Sequence, residues 1–317
     1  MSDVSSVPQK PSLYATCSVC PHACRLGEGE RGVCGARQAS GGAVEPLNYG
    51  RSTALALDPI EKKPLACFHP GSTILSYGSF GCNLSCAFCQ NWEIAHSGKE
   101  TKGETKGDGS CVLVSKTHEP SPFVSLPAVS SRYIAPEELV EQAVALKSRG
   151  NIGIALTYNE PLVCPEYIVD VGELAHDHGL QLVLVTNGYV LPEVARQVFA
   201  VVDAANIDLK AFNQDFYTLV GAPAGLATVK RTIQTALAEG CHVEVTTLVI
   251  PALNDSREEM RAEASWLASL SPDIPLHISR FHPAYNMTDR QPTPRSTILE
   301  LAGIAREYLT QVFTGNM

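Results

Sequence analysis

From residue 134 onward, segments of helical period alternate with short apolar runs. Pro136 to Ser148 reads as a helix, with Pro136 and two glutamates in its first turn. Ile152 to Tyr158 is a short apolar strand, and Pro165 to His178 a helix that stops at Gly179. Leu180 to Val185 is almost continuously apolar, the pattern of a strand covered on both faces of a parallel sheet. The alternation continues with a helix over Pro192 to Ala200, a strand over Ala204 to Lys210 and a helix over Thr228 to Glu239. It closes with strands over His242 to Ile250 and Pro275 to Phe281 and helices over Arg257 to Leu270 and Thr297 to Leu309. A further strand, Ile74 to Ser79, completes six strand–helix units. Parallel strands with helical crossovers predict an α/β fold, either an open doubly wound sheet or a barrel.

Two regions break this pattern. Residues 12–70 are rich in Cys and Gly with short strands, Ala43 to Tyr49 and Thr53 to Leu57, and are too small for a full core of their own. They are expected to pack on one end of the barrel, preceded by a polar, flexible stretch at 1–11. Residues 97–132 run Lys/Glu/Gly-rich and then Ser/Pro-rich, which predicts a flexible insert in the domain formed by 71–317.

Eleven cysteines change the picture. Seven fall in two clusters, and Cys67, Cys111, Cys164 and Cys241 are scattered, as buried small hydrophobes would be. No apolar run approaches the roughly 20 residues that span a bilayer, and the N-terminus lacks a signal-peptide core. A cytoplasmic, reducing location is the expectation, in which clustered cysteines read as metal ligands. The net charge of −9 and the lack of a long basic block argue against nucleic acid as a partner.

Cys82, Cys86 and Cys89 are spaced C-x3-C-x2-C just after the strand Ile74 to Ser79. A [4Fe–4S] cluster usually takes four thiolates; three leave one iron free for another ligand. Structural zinc would want four ligands. The spacing, with Phe88 before the last cysteine, resembles the signature of radical S-adenosylmethionine (SAM) enzymes. The second cluster, Cys17, Cys20, Cys24 and Cys34, with His22 as an alternative ligand, offers a closed site for zinc or for a second iron–sulfur cluster.

Sites in parallel α/β folds form at the C-terminal ends of strands. Those ends carry Tyr158-Asn159-Glu160-Pro161, Thr186-Asn187-Gly188-Tyr189, Asp208-Leu209-Lys210 and Arg280-Phe281-His282-Pro283. Strand parity puts Asn206, Asp208 and Lys210 on one face, and His242, Glu244 and Thr246 on another. These polar faces are expected to point into the barrel, either towards a ligand or into a self-satisfied ion-pair network.

Together with Asp58 to Leu65 and Pro70-Gly71-Ser72, these motifs resemble one family over nearly the whole chain from Cys17 to Asn316. It is the radical SAM enzyme of the AmmeMemoRadiSam system, similar to pyruvate formate-lyase activating enzymes. The resemblance implies a partial (β/α)6 TIM-like barrel with a small Cys-rich N-terminal extension, and a SAM-bound [4Fe–4S] cluster on Cys82, Cys86 and Cys89. It implies SAM contacts from Phe88, Asn159, Glu160, Thr186, Asn187, Asp208 and Lys210, and Memo-like and AMMECR-like partner proteins. A flavodoxin or ferredoxin is the expected electron donor. Tyr158, Lys210 and His282 are the candidate catalytic residues, with Tyr189, His242, Glu244 and His277 as further substrate-side candidates. The chain departs from these relatives at Val185, where activating enzymes carry aspartate, so a monovalent-cation site is not expected there. It departs again at Tyr158-Asn159, where relatives carry two glycines.

The expected activity is reductive cleavage of SAM to a 5′-deoxyadenosyl radical that takes hydrogen from a substrate, a partner protein or a small molecule. The competing reading is a non-catalytic iron–sulfur or zinc protein serving as scaffold or electron carrier.

Overall fold

The computed structural model describes residues 14–97, 100–101, 124–125 and 129–317. Its centre is an eight-stranded sheet made of β1 (Ala54–Pro59), β2 (Thr73–Gly78), β3 (Asn151–Thr157), β4 (Gln181–Thr186), β5 (Ala204–Asp208), β6 (His242–Val249), β7 (Leu276–Arg280) and β8 (Val312–Gly315). Each strand lies beside its predecessor in the chain. β2 to β8 run parallel, and β1 pairs antiparallel with β2. The crossovers are α1 (Pro136–Ala145), α2 (Pro165–Asp177), α3 (Pro192–Phe199), α4 (Gly225–Ala238), α5 (Arg257–Leu270) and α6 (Arg295–Ala305). Parallel crossovers share one hand, so an unreversed strand order puts every helix on one face and leaves the other as the inner wall. β1 and β8 are the sheet's edges, and the barrel is therefore partial.

The sequence dictates these boundaries. Pro136, Pro165 and Pro192 occupy first-turn positions, where a missing N–H costs nothing. Ser256 caps α5 by accepting from the Glu259 amide at 3.1 Å. Outward side chains such as Leu182, Leu184, Ile207, Val245 and Ile278 join the helices in one large apolar cluster.

The structure adds elements that the hydrophobic pattern does not give. Thr53 to Leu57, read as part of the N-terminal piece, lies mostly within β1 of the central sheet. β8 follows α6, which ends at Ala305 rather than Leu309. A short helix, Gln214–Leu219, is capped by Asn213, which accepts from the Phe216 amide at 2.8 Å.

Between β1 and β2, residues 60–68 form a strap beneath the inner wall. Ile60 and Leu65, both fully buried, pack on the inward side chains Ile74, Ala155, Val183 and Ala204. Farther round, Asn206 Nδ2 donates to the Pro64 carbonyl at 2.8 Å. The Ala66 and Cys67 amides then donate to Glu244 at 2.9 and 2.8 Å. The strap thus forms the floor of the barrel at the N-terminal ends of its strands.

Two hairpins, Tyr14–Thr16 with Arg25–Gly27 and Arg37–Ser40 with Ala43–Pro46, make up the N-terminal knuckle. Buried Arg37 grips Glu166 of α2 with two hydrogen bonds of 3.0 and 2.8 Å. The stretches at 1–11 and most of 97–132, with Cys111, lie outside the described residues. Among the described residues, no helix is long and apolar enough to cross a membrane.

Candidate active site

The loop after β2 carries Cys82, Cys86 and Cys89 at the mouth of the barrel. It is held from three sides. The Cys82 amide donates to the Cys34 carbonyl at 3.2 Å, joining loop to knuckle. Gly81 permits this approach: its φ is +90°, and a Cβ there would lie 2.5 Å from that of Ala36. From β3, Asn159 receives the Ser79 amide at 3.0 Å and donates to the Phe80 and Gly81 carbonyls at 3.1 Å each. From β4, Asn187 Nδ2 reaches Asn83 Oδ1 at 2.9 Å and the Cys82 sulfur at 3.6 Å.

Glu160 ties these strands together. It is 2 % exposed and accepts from the Thr186 hydroxyl at 2.6 Å, the Leu162 amide at 3.0 Å and the Asn187 amide at 2.7 Å. Burial pushes its carboxyl up to about 7 against the pull of these donors. The Asn159 side chain thus fastens the loop to the end of β3, and the Glu160 side chain ties the end of β3 to the end of β4.

Lys210 and Asp208 pair at 2.7 Å at the end of β5. Burial alone would lower the Lys210 ammonium, but Asp208 and the charges of Cys86 and Cys82 outweigh it and hold it high. Lys210 thus lies within electrostatic reach of the cysteine loop. The remaining candidates divide. Phe88 is buried beside Phe216 with ring centroids 5.9 Å apart, in the apolar core. Tyr189 is fully buried and donates to the Pro223 carbonyl at 2.8 Å. His282 Nε2 lies 3.1 Å from the Asn316 carbonyl on the rim.

His242, Glu244 and His277 are not at the mouth. Glu244 is fully buried near the start of β6, where His277 Nε2 at 2.6 Å, His242 Nε2 at 3.0 Å and the two strap amides surround it. These donors hold its carboxyl down at about 2 although burial opposes them. This is the self-satisfied network, and it belongs to the floor. A groove of about 560 Å³ lined by Phe68, His176, Asp203 and His242 opens at this same end, away from the cysteines.

Parity did not reveal Asp58 and Lys63. Tyr158, held at φ +74°, donates its hydroxyl to Asp58 at 2.6 Å. Lys63, 2 % exposed, pairs with Asp58 at 2.8 Å and lies 4.6 Å from the Tyr158 ring centroid. The signal was the Asp58 to Leu65 motif, whose residues carried no period to place them.

None of the ten described cysteines is in a disulfide. Cys20, pushed up to about 12 chiefly by burial, also feels Cys34 and Cys17, and Cys34 feels Cys17 and Cys24. The Cys17 amide donates to the Cys24 carbonyl at 2.9 Å, closing the loop that carries three of the four knuckle cysteines. In the described chain no group of three or more His, Cys, Asp or Glu side chains converges in a metal-holding arrangement.

The Radical SAM superfamily model matches residues 77–264, from β2 into α5. The chain belongs to the radical SAM superfamily. Members of this superfamily are enzymes that carry a [4Fe–4S] cluster and SAM. Protein MJ0808 of Methanocaldococcus jannaschii is 36 % identical over 95 % of this chain and 81 % of its own length. The pyruvate formate-lyase-activating enzyme of Clostridium pasteurianum is 21 % identical over 60 % of this chain and 67 % of its own. A radical SAM methyltransferase structure from Sphaerobacter thermophilus aligns at TM-score 0.52 and 18 % identity, over 78 % of this chain and 67 % of that one. It shares the fold.

The fit to the radical SAM cluster is one of donor chemistry, not of a preformed three-thiol arrangement. One loop supplies three thiols, and the Leu84 amide at 3.4 Å and Asn187 Nδ2 both point at the Cys82 sulfur. N–H donors to sulfur are one of the means by which proteins tune such clusters.

Proposed function

We propose that this chain is a hydrogen-abstracting radical SAM enzyme of the activating-enzyme type. The observation that carries the reading is the fastening of the three-cysteine loop to the ends of β3 and β4 through Asn159, Glu160 and Asn187. Cys82, Cys86 and Cys89 would hold the cluster. When bound, cluster and SAM supply the chemistry: one electron breaks the sulfonium bond, giving methionine and a 5′-deoxyadenosyl radical that takes a hydrogen atom. The chain's own residues do the rest. Lys210 places a positive charge beside the cysteine loop, where it suits a carboxylate. The strap shuts the floor against water.

The resemblance of the motifs supports a place in the AmmeMemoRadiSam system, with Memo-like and AMMECR-like proteins as partners and a flavodoxin or ferredoxin as reductant. The number and clustering of the knuckle cysteines support a second metal site, zinc or iron–sulfur, on Cys17, Cys20, Cys24 and Cys34.

Anaerobic reconstitution with iron and sulfide, then dithionite and SAM, tests the reading. 5′-Deoxyadenosine should form and should be abolished in Cys86→Ala, with iron content falling by one cluster. An intact cluster with no SAM affinity would leave the scaffold or electron-carrier reading instead.

A further inference from the structure

Two oxygens on the inner wall have no hydrogen-bond partner: Asn206 Oδ1 and Thr246 Oγ1. Asn206 is fully buried, and Thr246 is 8 % exposed. Register places them on one face. Asn206 lies opposite Glu244, and Thr246 opposite Asp208. A buried polar atom without a partner costs about 1–3 kcal/mol. Two on one wall, between the strap below and the cysteine loop above, point to a partner that arrives from outside.

The charges around them are already balanced. Lys63 is paired with Asp58, Lys210 with Asp208, and Glu244 with four donors. Below Lys210, which stands at the strand end, a charged group placed against this wall would meet only charges that already have partners. What remains is one pure acceptor, Asn206 Oδ1, and a hydroxyl, Thr246 Oγ1, on neighbouring strands two residues out of register. A ligand hydroxyl carries donor and acceptor on a single oxygen. An amide carries them on separate atoms, matching one partner on each of two neighbouring strands.

We propose that this wall is a substrate subsite for a neutral amide, whose N–H is received by Asn206 Oδ1 and whose carbonyl accepts from the Thr246 hydroxyl. The amide can come from a peptide or from a small carboxamide. The proposal rests on the hydrogen-abstraction reading above, because it places the substrate within the barrel under the cysteine loop.

The test is saturation-transfer NMR on the reconstituted full-length protein with SAM, using N-methylacetamide, acetamide, acetate and ethanol as probes. Cluster content and SAM binding are measured on the same sample; if either is missing, the proposed function fails and not this inference. Saturable transfer is expected for both amides and not for acetate or ethanol. Thr246→Val should cut it at least five-fold, and Thr246→Ser should restore it. A stronger signal from N-methylacetamide assigns the site to a peptide, and one from acetamide to a carboxamide. Since the Thr246 hydroxyl has no partner in the fold, the thermal midpoint of Thr246→Val should equal or exceed that of the wild type. No transfer from either amide, equal transfer from acetate or ethanol, transfer unchanged in Thr246→Val, or a lowered midpoint in that variant would each overturn the proposal.

Discussion

Two buried glutamates mark the two ends of this barrel and behave in opposite ways. Glu160 at the mouth is pushed up to about 7, whereas Glu244 at the floor is held down at about 2. Both are desolvated and both accept from backbone amides. The difference is in their company. Glu244 has two imidazoles, whereas Glu160 has a hydroxyl and the nearby negative charge of Asp208. Hydrogen bonding does not by itself keep a buried acid ionised; the balance between desolvation and the donors decides, and it tips opposite ways at the two ends. The floor is a closed electrostatic joint. The mouth holds an acid that changes charge near neutral pH, beside the residues proposed to meet SAM.

The largest effect that probes this contrast is Glu244→Gln. The amide nitrogen would turn a donor towards donors, and the folded state should lose about 3 kcal/mol at pH 7, read from thermal or urea unfolding. Because the Glu244 carboxyl lies below its ordinary 4.5 in the fold, its contribution is complete above that pH and is lost as pH falls towards 2. The deficit of the variant should hold steady from pH 6 to 8 and shrink below about pH 4.5. Glu160 has the opposite sign: its raised carboxyl withdraws stability as pH climbs from 4.5 to about 7. A Glu244→Gln deficit that grew in acid would break the comparison.

A smaller effect belongs to Tyr158, the strut between the two ends, whose hydroxyl meets Asp58 and whose carbonyl receives Asn91 Nδ2 at 2.8 Å. Tyr158→Phe should cost about 1–2 kcal/mol in unfolding experiments and leave cluster content intact. Smallest of all should be Lys62→Met. Lys62 pairs with Asp58 at 3.2 Å but is 67 % exposed, unlike its neighbour Lys63, and its loss should change stability by less than about 0.5 kcal/mol. A comparable loss in Lys62→Met and Tyr158→Phe would mean that burial does not sort the partners of Asp58.

Much of the mouth was legible in the sequence. The C-x3-C-x2-C spacing, the strand ends and the proline-started helices are local signals, and α5 runs from Arg257 to Leu270 as the pattern predicts. Parity also separated inward from outward residues on β5 and β6. It could not say how high on the wall a residue sits, and so His242, Glu244 and His277 were grouped with the mouth. Height follows from where the strand begins, and the role of Glu244 follows from a strap 177 residues earlier in the chain. The strap itself has no repeating pattern because it packs by its ends and its backbone. β1 was legible as a strand at Thr53 to Leu57, but its antiparallel pairing with β2 at the edge of the central sheet leaves no mark in the local pattern.

The strap also sets an order on assembly. Ala66 is made 178 residues before Glu244, the carboxylate that will receive its amide. At ribosomal speeds of about 5–20 residues per second, the strap waits roughly 9 to 36 seconds for its partner. Through that interval β1 and β2 can pair, but the barrel has no bottom. The cysteine loop, already synthesised, is open from below as well as from above. Closure of the floor is thus a late, long-range event, and the growing chain passes through a stage in which its future metal ligands are reachable from both sides.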